Sequence, residues 1–229
     1  MTLLSSSQSY ATECVVLLHG LARSHHSMAK LDKALAKQGY STINISYPST
    51  KQPIEELAED IIPKALARCP NNAKVHFVTH SLGGILVRHY LSNHTIENLG
   101  RVVMLGPPNK GSHIVNTLHQ FPIYKFINGP AGMQIGAEEN SLPNQLGSVN
   151  FELGVIAGTR TINPLLSLML EKPNDGKVSV ESSRIEGMMN HIELPVTHTF
   201  MMNNKTVISQ VIYFLRTGIF NHGLIANAR

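Results

Sequence analysis

Nowhere in this 229-residue chain do the roughly eighteen apolar residues that a bilayer-crossing helix needs run together. No integral membrane segment is expected. Lys and Arg outnumber Asp and Glu by 19 to 15 but never gather into a block, so the net charge of +4 reads as a solvated surface and nucleic acid is not an expected partner. The residues from Met1 to Glu13 lack the basic start and apolar stretch of a signal peptide, which makes a soluble, cytoplasmic protein the expectation. A leader already removed would leave the same sequence.

Cysteine is scarce. Cys14 precedes a predicted strand and Cys69 follows a predicted helix, neither in zinc-ligand spacing, so two buried or half-buried thiols are the first expectation. If the first and third strands are neighbours, both lie near one edge of the sheet, and a disulfide becomes feasible. None of the twelve histidines falls in His-Glu-x-x-His or another metal pattern, so no metal is implied. Internal repeats are absent. With 42% apolar and 15% charged residues, the composition excludes disordered, collagen-like and coiled-coil chains. One compact α/β domain spanning residues 1–229 is expected, with oligomeric state unreadable.

What is present is a rhythm of short apolar segments and helical stripes. Residues 14–18, 42–46, 75–79, 102–105, 153–157 and 192–196 read as strands. Most are apolar nearly throughout, as strands covered by helices on both faces must be. Met28 to Gln38 is a helical pattern ending at Gly39. Ile54 to Arg68 carries its apolar residues on one stripe, behind Pro53 and with Glu55 and Glu56 in the first turn; Pro63 is expected to kink it. Lys205 to Arg216 is the last helix, capped by Asn203 or Asn204. Alternation of this kind predicts a mainly parallel sheet of about six strands, wound on both sides. Residues 107–150 break the rhythm and are expected to form a cap or lid.

The chemistry concentrates where strands end. Val75 to Thr79 runs directly into His80-Ser81-Leu82-Gly83-Gly84 and the helix-compatible Ile85 to Leu91. A serine on so sharp a turn is lifted clear of the sheet, and the helix N-terminus behind it offers backbone donors to a developing oxyanion. Gly83 permits the close bend. Thr79 stands where the usual G-x-S-x-G pattern has its first glycine, so its side chain must find room beside neighbouring backbone. After the first strand comes His19-Gly20-Leu21, whose Leu21 N–H is expected to join that of Leu82 in an oxyanion hole.

A serine hydroxyl needs a base on another loop at the same edge. His198 follows the last predicted strand and fits that place. His191 precedes the strand and reads as a surface residue; His25 and His26 lie in a loop, and His80 is expected to pack structurally. The acid should fall between serine and histidine in chain order. Asp175, in an Asn-Asp-Gly turn expected to be exposed, is the first candidate, with Glu171 and Glu181 as alternatives.

Taken together, Leu17-Leu18-His19-Gly20-Leu21, Thr79-His80-Ser81-Leu82-Gly83-Gly84, Leu105-Gly106-Pro107-Pro108-Asn109-Lys110-Gly111-Ser112, Asn174-Asp175-Gly176 and Leu194-Pro195-Val196-Thr197-His198-Thr199-Phe200 resemble the bacterial triacylglycerol-lipase and esterase-like α/β-hydrolases, over nearly the whole chain. The resemblance implies hydrolysis of a small-molecule or lipid acyl ester through an acyl-serine intermediate, with no organic cofactor. It also implies that Pro107-Pro108-Asn109 lines or caps the site. About thirteen residues precede the first strand, too few for the antiparallel hairpin that opens larger relatives. Acyl transfer or thioester cleavage would use the same groups, and a non-catalytic hydrolase-like binding protein is the alternative from another class.

Overall fold

The computed structural model describes residues 13–162 and 164–223. The stretch before Glu13, where no hairpin is expected, lies outside them. Six parallel strands form one sheet: β1 (Glu13–Leu18), β2 (Ser41–Ile45), β3 (Lys74–His80), β4 (Leu99–Leu105), β5 (Leu153–Gly158) and β6 (Asn190–Leu194), in spatial order β2-β1-β3-β4-β5-β6. Register sets Leu18 beside Thr79 and His80 beside Leu105, so the C-terminal ends of the central strands line up along one edge.

Two apolar layers cover the sheet. One side packs α2 (Ile54–Leu66) and α3 (Leu82–Asn93) on Val16, Phe77, Val102 and Val155; the other packs α1 (Ala29–Ala36) and a C-terminal helix (Lys205–Thr217) on Val15, Leu17, Val103 and Ile156. Successive residues of β1 therefore face opposite layers, which is why the strand is apolar without alternation. Asn204 caps the C-terminal helix, its Oδ1 accepting from the N–H groups of Thr206 and Val207. This satisfies two amides that the helix cannot pair internally.

Boundaries shift where local chemistry decides. β6 runs from Asn190 to Leu194 and not from 192 to 196, because Pro195 has no N–H to continue the ladder. β4 starts at Leu99, and α3 starts immediately after Ser81. α2 continues through Pro63 to end at Leu66.

Cys14 and Cys69 are joined in a disulfide, with Cα atoms 5.8 Å apart, which corrects the expectation of two free thiols. The physical reason is that α2 packs back along β1, bringing its C-terminal end to the start of that strand, at the edge away from the strand C-termini.

Between β4 and β5 the chain forms α4 (His113–Leu118), α5 (Pro122–Gln134) and α6 (Leu142–Gln145). α5 breaks at Gly129, which is non-helical. Four large apolar side chains of this region stand in solvent: Phe121, Ile123, Phe126 and Ile127, with Phe126 86% exposed. Arg88, buried on α3, ties both ends of the stretch down. Its guanidinium donates to the carbonyls of Asn109 (2.9 Å), Pro143 (2.9 Å) and Gly147 (2.8 Å), and burial pushes its pKa down to about 10. Beyond β5 lie α7 (Pro164–Leu168) and α8 (Val180–Ser183), and the C-terminal helix is α9. Among the described residues no helix is long and apolar enough to cross a membrane.

Candidate active site

Ser81 sits between β3 and α3 with φ 52° and ψ −119°, a left-handed conformation that a residue with a Cβ adopts only under constraint. The constraint is visible. Its N–H donates to Leu105 O at 2.9 Å, its carbonyl accepts from Gly84 N–H at 3.0 Å, and a Cβ at Gly83 would stand 2.8 Å from Leu18 O. Only glycine lets α3 approach β1 so closely. Thr79 is fully buried, so its extra bulk is accommodated, yet its hydroxyl finds no partner among the described residues.

His198 and Asp175 meet behind this turn. Asp175 Oδ2 accepts from His198 Nδ1–H at 2.7 Å, and Asp175 Oδ1 accepts from the N–H groups of Lys177 (2.9 Å) and Val178 (2.8 Å). Since the carboxylate holds the proton on Nδ1, Nε2 is left with a lone pair. Gly106, at φ 54°, lies against both: a Cβ there would be 3.0 Å from Asp175 Oδ2 and 3.1 Å from His198 Nδ1.

The turn carrying Asp175 is buried, a correction to the exposed turn expected from Asn-Asp-Gly. Asn174 is 4% and Asp175 2% exposed. Asn174 explains it. Its Oδ1 accepts from Gly176 N–H and Ser167 Oγ, while its amide donates to the carbonyls of Ser167 and Glu171, folding the segment inward. Glu171 is exposed, and Glu181 pairs with Lys110, whose hydrogen bond holds the carboxyl below its usual range.

Two further histidines pack around the site, of which His80 also lines its cavity and His19 does not. His80 Nε2–H donates to His198 O at 3.0 Å, and the rings lie 4.8 Å apart. Burial, then the neighbouring His198, push the His80 pKa well below its ordinary value. His19 stacks on Tyr47 at 4.0 Å, accepts from Tyr47 N–H through Nε2 and donates to Gly20 O through Nδ1. The Tyr47 hydroxyl donates back to His19 O. This interlock fixes the chain leading into Leu21, and sequence reasoning missed it because Tyr47 lies on a different loop.

Of the remaining histidines, His25 bonds to Ser46, and His26 is exposed. His191 lies within β6, half-buried where a surface residue was expected; it donates to Ser183 Oγ at 3.0 Å.

Ser81, His198, Leu21 and Pro108 all line one cavity of about 180 Å³. Asn109, beside Pro108, is buried and held by Arg88. Ile114, Val115, Leu118 and Ile135 give the cavity an apolar wall. Among the described residues the Ser81 hydroxyl makes no hydrogen bond, to His198 or elsewhere; bonds of this kind are often long without substrate and tighten when one binds. Leu82 is fully buried in the first turn of α3. Among the described residues no three His, Cys, Asp or Glu side chains cluster in a way that could hold a metal ion.

The family described as alpha/beta hydrolase fold matches residues 13–148. Among solved structures, the mature lipase BlEst2 of Bacillus licheniformis is similar at a TM-score of 0.68 and 18% identity, covering 92% of this chain and 94% of that one. Phospholipase PlaB of Legionella pneumophila, in complex with thio-NAD, is similar at 0.71 and 16% identity, over 94% of this chain and 60% of that one. The metagenomic carboxyl esterase MGS0156 is similar at 0.67 and 18% identity, over 83% of this chain and 65% of that one. No curated protein matches this chain by sequence.

Proposed function

From the premise that this chain belongs to the alpha/beta hydrolase fold family, we propose that it is a carboxylic ester hydrolase acting through Ser81, His198 and Asp175. The observation that carries the reading is the 2.7 Å bond from His198 Nδ1 to Asp175, which leaves Nε2 free beside a cavity that also holds Ser81 on its strained turn. That the structural neighbours include a lipase, a phospholipase and a carboxyl esterase supports ester substrates.

In this mechanism Ser81 Oγ attacks the ester carbonyl as His198 Nε2 takes the hydroxyl proton. Asp175 stabilises the imidazolium that results. The carbonyl oxygen becomes an oxyanion, met by the main-chain N–H of Leu82 at the start of α3 and by that of Leu21. Collapse breaks the C–O bond, and the proton on Nε2 passes to the departing alcohol. Water, deprotonated by the same nitrogen, then attacks the acyl-Ser81 and releases the acid. The apolar wall from residues 107–150 would receive the acyl chain, giving that segment the role of a cap.

Incubation with a fluorophosphonate probe tests the reading. One adduct on Ser81, together with a loss of ester turnover by several orders of magnitude in Ser81→Ala, is the expected result. Labelling that survives the substitution would show that another serine is the nucleophile. Adding alcohol acceptors during turnover separates hydrolysis from acyl transfer; free acid is the expected main product.

A further inference from the structure

Among the described residues, fifteen line the cavity that holds Ser81 and His198, and of these only Arg23 and Lys177 carry a full charge. Both are exposed at its rim. Neither forms an ion pair or a side-chain hydrogen bond with another described residue. They come from opposite flanks, Arg23 two residues beyond Leu21 and Lys177 two residues beyond Asp175.

The main chain beneath Lys177 is fixed, its N–H on Asp175 Oδ1 and its carbonyl accepting from Ser112 Oγ at 3.0 Å. Asp175, whose oxygens accept from His198 and from the amides of residues 177 and 178, can offset only one of the two positive charges. Although Lys177 is exposed, the cavity wall partly removes it from water, and this, then the positive charge of Arg23, outweighs the pull of Asp175 and holds its ammonium below the usual range. Two cations against one carboxylate leave the cavity mouth net positive, which favours an anionic occupant.

We propose that Arg23 and Lys177 form an anion-recognition site at the cavity mouth, and that the preferred substrate is an ester bearing a carboxylate, phosphate or sulfonate near its scissile bond. The inference rests on the ester-hydrolase reading of the same site. Lys177 presents a compact point charge and Arg23 a planar fork, a combination suited to an oxyanion on either the acyl or the alcohol side.

The test compares kcat/KM for matched pairs. Mono-para-nitrophenyl glutarate against its methyl ester places the charge on the acyl side; para-acetoxybenzenesulfonate against para-acetoxybenzenesulfonamide places it on the alcohol side. In at least one pair the anionic ester should be preferred by about tenfold, as expected for two partly screened rim contacts. That preference should shrink when salt is raised from about 0.02 M to about 0.5 M. It should also fall to near unity in the Arg23→Gln/Lys177→Gln double variant, whose exposed positions predict an unchanged melting temperature. Equal or better turnover of the neutral ester in both pairs overturns the inference while leaving the hydrolase reading standing, and so does a preference that survives in the double variant. No turnover of any of the four esters overturns both.

Discussion

Asp175 and His198 are joined twice: side chain to side chain at 2.7 Å, and by the His198 N–H donating to the Asp175 carbonyl at 3.1 Å. The second bond survives any change of the carboxylate. In Asp175→Asn the side-chain oxygen would still be required by the amides of Lys177 and Val178, so the new amide group would point at His198 Nδ1 and donate to it. That forces the proton onto Nε2, the wrong tautomer for a base. Turnover should fall about 10³ to 10⁴-fold with the melting temperature little changed. A near-normal rate would remove Asp175 from the proposed triad.

The Cys14–Cys69 bridge closes a loop across 55 positions at the sheet edge away from Ser81. Replacing both cysteines by alanine should lower stability by about 2–4 kcal/mol, read from urea unfolding. Because the bridge lies far from the cavity, kcat of the folded variant should match the parent. A parallel loss of kcat would mean that the two edges of the sheet are mechanically coupled.

Thr79 buries a hydroxyl that has no partner among the described residues. Thr79→Val keeps the shape and removes that orphan, so the folded state should gain about 1 kcal/mol. A lower melting temperature would point to a bound water on Thr79 Oγ1.

Acid should weaken the fold through histidines held neutral by burial. His191 is the best placed to measure: burial, then Arg184, push its pKa down to about 4 from an ordinary value of 6.5. Its contribution is complete above about pH 6.5. As pH falls, the unfolded chain binds the proton first, so stability declines through the window down to about pH 4. His80, His19 and His76 are shifted in the same direction by burial and should add to the slope. Denaturant midpoints between pH 7 and pH 4 should therefore fall, and less steeply in His191→Gln. Identical slopes for the two proteins would exclude His191 as a contributor.

The sheet was legible because parallel strands buried on both faces leave continuous apolar runs, and Ser81 and His198 stood out because they follow such runs directly. Asp175 could be placed by chain order, but its burial could not. Asn174 draws the turn inward through Ser167 and Glu171, and a local turn signal carries no information about that partner set. The pairing of Cys14 with Cys69 depended on where α2 ends in space, and the His19–Tyr47 stack on two loops meeting above β1 and β2. Arg88 carried no signal at all; an arginine inside an apolar helix reads as a surface position until its three carbonyl partners are known.

Those three carbonyls give Arg88 an architectural consequence. Asn109 lies near the start of the excursion between β4 and β5, Pro143 and Gly147 near its end, and one guanidinium cinches them together on the helix that begins beside Ser81. Everything between is a cassette closed at its neck. Within it Val115, Ala131 and Ile135 join the core and Ser112 Oγ reaches Lys177 O, so its outward faces are where exchange would redraw the wall without disturbing the strands that carry the proposed site.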